Sequence, residues 1–170
     1  MTAGQIVGAI DVITTLSQSL QAPANSIDIA NGLLALIGEG PVIQVVEGFE
    51  NITATATQDV TALQGVQPLS LQSDQDAVLD AFTEFVQVHQ ELLSIVIGKS
   101  GLLQDIAFGP PVTAVLRSLE GVVDTVALAI IGTLRDVDAS QATTQKNDLD
   151  GTLAQAIDAF SPVQLPAIGL

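Results

Sequence analysis

Residues 110–134, PPVTAVLRSLEGVVDTVALAIIGTL, decide the fold class. Two prolines open the stretch, where the first residues of a helix have no intrahelical N–H bond to lose. After them Val112, Val115, Leu116, Leu119, Val122, Val123, Val126, Ile130 and Leu134 recur at steps of three and four. That spacing gathers side chains on one face of an α-helix. A half-buried strand would alternate at every second residue, and no part of the chain keeps that period.

The same rhythm extends outward in both directions. Toward the N-terminus, Asp74 to Ile97 carries Val78, Phe82, Phe85, His89, Leu92 and Val96 on one side, with Ser73 and Asp76 resembling a capping box at its start. Before it, a helix opened by Pro41 runs to about Gln64, with Val42, Val45, Val46, Phe49, Ile52, Thr53, Ala56, Val60 and Leu63 on one face. Ser26 is placed to cap a helix from Ile27 to Ile37 that stops at Gly38. The first helix carries Ile6, Ile10, Ile13, Ser17 and Leu20, and Gln21-Ala22-Pro23 is expected to end it. Toward the C-terminus, Leu102 to Phe108 reads as a short apolar turn. Asp136 to Asn147 either prolongs the proline-led helix or forms the one sizeable loop. A last helix turns Leu149, Leu153, Ala156, Ile157 and Phe160 inward. The expected architecture is all-α: a single antiparallel bundle of five to six helices over residues 1–160, followed by an extended tail at 161–170.

Composition narrows the partners. Hydrophobic residues make up 48% of the 170, and mean hydropathy is +0.50. The most apolar stretches, Ile27–Gly48 and Gly121–Leu134, are broken by Asp28, Glu39 and Pro41, and by Asp124. Crossing a bilayer needs about 18 or more uninterrupted apolar residues, so no transmembrane helix is expected. Nineteen acids against four bases (Lys99, Arg117, Arg135 and Lys146) give a net charge of −15. Phosphate-rich partners are bound by Lys and Arg, which makes nucleic acid an unsuitable partner. With no cysteine there is no disulfide or thiolate–metal scheme. Met1 leads straight into Thr2-Ala3-Gly4 without the regions of a signal peptide, which suits a cytoplasmic protein or a domain excised from a longer one.

Adjacent apolar pairs such as Val45/Val46, Leu92/Leu93, Val122/Val123 and Ile130/Ile131 widen the buried faces. A solid core with central helices buried on two sides explains this. So does a central apolar tunnel, because aromatics are only 3% of the chain and few rings exist to plug a wide interior. A hollow interior would be walled by Ile13, Leu20, Leu33, Ile37, Val45, Phe49, Ile52, Phe82, Phe85, Leu92, Leu116, Leu119, Val123 and Val126. Those walls match an alkyl chain. Each buried methylene contributes about 0.8 kcal/mol, so roughly 14 give about 11 kcal/mol before association costs. A sixteen-carbon chain spans about 20 Å, the rise of roughly 13 helical residues.

The head group of a long-chain fatty acid is harder to house, since a bare buried carboxylate is costly and no Lys or Arg lies on an inward stripe. Ser17, Thr53, His89 and Ser118 are the polar candidates near the apolar faces. Thr53 has the competing option of bonding its own helix backbone, and a lone His on an apolar stripe is commonly a satisfied core residue.

No catalytic, metal or cofactor site is expected. A di-iron bundle needs Glu-x-x-His pairs, but Val86 stands where His89 would need its glutamate. The run Asp136-Val137-Asp138-Ala139-Ser140 begins like a calcium loop, yet Gln141 replaces the turn glycine and Asn147 the bidentate glutamate. There is no Gly-x-Ser-x-Gly elbow and no glycine-rich phosphate loop. Asn51-Ile52-Thr53 is a glycosylation sequon, a triplet that also arises by chance.

The middle of the chain carries Gln67-Pro68-Leu69-Ser70, then Phe85-Val86-Gln87-Val88-His89-Gln90-Glu91-Leu92-Leu93 and Ile97-Gly98-Lys99-Ser100. Phe108-Gly109-Pro110-Pro111 and Leu116-Arg117-Ser118-Leu119-Glu120 follow. In these packing motifs, and in the order of its helices, the chain resembles the fungal cell-wall galactomannoprotein family, also called hydrophobic-surface-binding protein A. The resemblance implies a mainly five-helix domain of a secreted or wall-anchored fungal antigen. It further implies sequestration of fatty acids, including host signalling polyunsaturated ones, in a central tunnel, and with it a role in virulence. Adsorption to hydrophobic surfaces, without an internal ligand, is the alternative it implies. It transfers no head-group residue to this sequence.

Overall fold

The computed structural model describes residues 1–161. Of the tail expected at 161–170, all but Ser161 lies outside the described residues.

Seven α-helices follow one another: α1 (Ala3–Ser26), α2 (Ile29–Gly32), α3 (Pro41–Leu63), α4 (Gln72–Gly98), α5 (Ser100–Asp105), α6 (Gly109–Ile131) and α7 (Asp136–Phe160), with a 3-10 turn over Leu33–Ile37. Thr2 starts α1 through a reciprocal capping box with Gln5. Pro41 stands in the first turn of α3, and Pro110-Pro111 in that of α6. The connection before α3 turns on Gly38 and Gly40, both at positive φ, which only glycine adopts without strain.

Four local expectations are corrected. Pro23 does not end α1, which runs one further turn to Ser26, because a proline there removes a single backbone bond. Ser26 does not cap the next helix. Ile27 is drawn into the core in extended conformation, so the cap moves to Asp28, which exchanges hydrogen bonds with Asn31. Ser73 and Asp76 form no capping box: α4 begins at Gln72, whose side-chain amide donates to Asp76 Oδ1 at 2.8 Å. Finally, residues 136–147 are neither a loop nor an extension of α6. The chain reverses over 132–135, where the Thr133 hydroxyl donates to the Ile130 carbonyl and the Arg135 N–H to Gln75 Oε1. α7 then starts at Asp136, and Asp136 and Asp138 in its first turn complement the helix dipole.

The five long helices close a ring. α1 packs beside α3 and α4, α4 beside α7, α7 beside α6, and α6 beside α3. Direction alternates along the chain, as expected for an up-and-down bundle, but spatial neighbours are not always antiparallel. Ser17 faces His89 while Lys99 reaches the Asn25 and Ile27 carbonyls, so α1 and α4 run parallel. The pairs Gln72–Asp138, Thr83–Gln145 and Gln90–Thr152 show the same for α4 and α7. Lys146 of α7 pairs with Asp124 of α6 and with Asp150, which raises its pKa chiefly through the Asp124 contact.

The inner face holds Ile6, Ile13, Phe49, Ile52, Phe82, Phe85, Leu92, Leu116, Leu119, Leu149 and Phe160, all buried. No single helix among the described residues is long and apolar enough to cross a membrane. Gln141→Gly, at an exposed position within α7, should lower the unfolding free energy by about 1 kcal/mol in urea titration. A loop there would leave stability unchanged.

Candidate functional site

Polar chemistry inside the ring concentrates where α1 meets α4. Ser17 and His89 are both fully buried, and Ser17 Oγ lies 2.9 Å from His89 Nε2. His89 Nδ1 donates to the Phe85 carbonyl at 3.1 Å, one turn back on the same helix. That bond assigns the tautomer: Nε2 is the acceptor, and the Ser17 hydroxyl donates to it. The same hydroxyl has a second acceptor within reach, the Ile13 carbonyl at 3.1 Å. Burial lowers the His89 pKa to about 4, with the Phe85 bond opposing the shift. The Phe85 ring lies 4.2 Å from the imidazole and stacks on Phe82 at 5.7 Å.

A serine beside a histidine invites a catalytic reading, and the surroundings of the pair bear on it. Its histidine is oriented by a carbonyl, and an imidazole that protonates only near pH 4 is a weak general base for a serine hydroxyl. Among the described residues no group of three or more His, Asp or Glu side chains could hold a metal ion.

The other two head-group candidates lie together elsewhere, on a cleft of about 490 Å³ between α3 and α6. Thr53 and Ser118 stand on its two walls, and each hydroxyl donates to its own helix, to Phe49 at 2.8 Å and Ala114 at 3.3 Å. Leu20 lies against Gly48, so Ser17 and Thr53 sit near one level of the ring although they face different seams. Glu50, Ala54 and Ala114, which share the cleft, escape the sequence reading. Their signal was a second, weaker stripe one position off the apolar one.

Of the residues expected to wall the interior, Ile13, Leu20, Val45, Phe49, Ile52, Phe82, Phe85, Leu92, Leu116, Leu119, Val123 and Val126 are all buried. Leu33 and Ile37 are not: they are 50% and 71% exposed. They fall in the 3-10 turn, where three residues per turn replace 3.6, so a stripe extrapolated at helical spacing leaves the core.

No protein-family model matches the chain, and no curated protein sequence does. Solved structures do. AfMp4p in complex with palmitic acid aligns with a TM-score of 0.71 at 21% identity, covering 94% of this chain and 99% of that one. The chain shares its fold. Ligand-binding domain 1 of the Penicillium marneffei MP1 protein, complexed with arachidonic acids, aligns at 0.72 with 18% identity, over 92% and 99% of the two chains. A Talaromyces marneffei Mp1 chain holding ligand-binding domains 1 and 2 aligns at 0.81 with 16% identity, over 98% of this chain and 50% of that one.

The buried imidazole makes stability depend on pH. Its folded pKa of about 4 lies below the ordinary 6.5, so as pH falls the unfolded chain takes up the proton first. The stability present above 6.5 is lost between 6.5 and about 4, by about 3 kcal/mol. His89→Leu should flatten that part of the curve when denaturant midpoints are compared across pH; equal slopes in both proteins would contradict the assignment.

Proposed function

We propose that residues 1–160 bind a long-chain fatty acid without catalysis, with the acyl tail along the axis of the helix ring. One observation carries the reading. The chain has the fold of solved proteins that hold palmitic and arachidonic acids, and its own buried residues are almost all apolar, with Thr14, Ser17, Gln75, His89 and Thr133 as the polar ones and Ser17–His89 joining α1 to α4.

Geometry supports this on two counts. Five helices packed at about 9 Å in a ring stand about 8 Å from its centre, and side chains fill only the first 5–6 Å of that. In that idealised ring the larger inner side chains, Phe85 among them, occupy the central width, and their displacement would free about the girth of one alkyl chain. The 24-residue α1 is about 36 Å long, so a head group at the level of Ser17 leaves about half of that for the tail.

The Ser17–His89 pair suits the carboxyl end. The Ser17 hydroxyl can turn from the imidazole to a carboxylate oxygen, and Nε2 can take up the acid proton to give an imidazolium beside the carboxylate. An opposite charge in contact would raise the imidazole pKa from its low value. On this reading the domain is a secreted or wall-bound sequestering protein, suited to capturing signalling polyunsaturated fatty acids. That location rests on the family resemblance in the sequence.

A second reading has its own observation. Ile29, Leu33, Leu34, Leu36 and Ile37 form an exposed apolar corner at one end of the ring, which suits adsorption to hydrophobic surfaces.

Organic extraction of purified protein followed by lipid mass spectrometry should yield fatty acid, and titration with palmitate should saturate. Ser17→Ala should weaken palmitate binding about ten-fold, the loss of one hydrogen bond to a charged group. Phe85→Trp should reduce uptake by narrowing the tunnel. A protein that carries no lipid and takes up none, yet coats plastic through the Ile29–Ile37 corner, would favour the second reading.

A further inference from the structure

The cleft between α3 and α6 has a chemistry of its own. Buried Val115 and half-buried Val46 line it together with Ala54, Pro111 and Ala114. Its polar groups are Glu50, Thr53 and Ser118, and no Lys, Arg or His lines it. Both hydroxyl protons are already given to helix carbonyls, so Thr53 and Ser118 turn lone pairs toward the cleft. Glu50 adds a carboxylate. The polar groups are thus all acceptors. A fatty-acid carboxylate placed here would meet no side-chain donor and a charge of its own sign. An ammonium group would meet three acceptors, one of them charged.

The apolar part sets the rest of the ligand. α3 contributes from Val46 to Ala54 and α6 from Pro111 to Ser118, on helices that run in the same direction. Eight residues of helix rise make the groove about 12 Å long, enough for most of a ten- to twelve-carbon chain. Its volume of about 490 Å³ falls in the ordinary range for a small amphiphile, about 300–1,000 Å³.

We propose that the α3/α6 cleft is a second ligand site, selective for a single-chain amphiphile with an ammonium head group held among Glu50, Thr53 and Ser118. The site lies on a different seam of the ring from Ser17 and His89 and does not depend on fatty-acid binding there.

Calorimetric titration with dodecylamine, and with dodecanoate as the acid of equal length, tests this below their micellar concentrations. The intact chain should bind one dodecylamine saturably and prefer it over dodecanoate at the cleft. Ala114→Phe, which fills the groove from an exposed position, should abolish that binding. Glu50→Gln should weaken it about three- to five-fold, the usual effect of one exposed charge pair. Glu50→Lys should reverse the preference, so that dodecanoate becomes the ligand that Ala114→Phe displaces. A chain with net charge −15 also attracts amines diffusely. If that is all, binding will be multiple and unchanged in both Ala114→Phe and Glu50→Gln, which overturns the proposal. Palmitate uptake should survive all three substitutions. Its loss in Ala114→Phe would make the cleft the mouth of the fatty-acid site and would equally overturn a separate amine site.

Discussion

Closure of the helix ring is the constraint on which the other features depend. Each of the five long helices buries one broad stripe against two neighbours, and the stripes meet in one continuous apolar core. A four-helix bundle brings its axes close enough for ordinary side chains to meet. Five in a ring stand farther from their common axis, and four of the five phenylalanines, Phe49, Phe82, Phe85 and Phe160, are buried in the core they share. Large rings thus supply much of the bulk in the interior.

Satisfying polar groups inside such a ring leaves few options. Most inward-leaning hydroxyls, including Thr14, Thr53 and Thr83, are bound by their own helix backbone four residues earlier. Ser17 has the same option in the Ile13 carbonyl, but His89 stands opposite it on a parallel neighbour and offers a second, nearer acceptor. The pair ties α1 to α4 and also leaves one mobile proton in an otherwise apolar space.

The fold was largely legible from sequence because the long helices carry unbroken stripes at steps of three and four. The inner faces of α3, α4 and α6 follow from that rhythm alone. Reading failed where the rhythm changes or lapses. Leu33 and Ile37 continue the stripe on paper but sit in a 3-10 turn. Residues 136–147 have too few apolar positions to betray a helix, since Ala142 is their one fully buried side chain. The candidate site was legible in part. Ser17 and His89 both stood out as polar residues on apolar stripes, yet their meeting required α1 and α4 to be parallel neighbours, which no local pattern states. The α3/α6 cleft was less visible still, because it is made of small residues whose importance lies in the space they leave.

The course of the helices has a topological consequence. With three long helices pointing one way and two the other, an odd number of passes carries the chain from one pole of the ring to the opposite pole. Thr2 and Ser161 are therefore separated by about the height of α1, roughly 36 Å. Circular permutation would need a bridge of about 11 extended residues to join them. Units of this kind linked in series would form a string, each adding its full height to the reach of the chain.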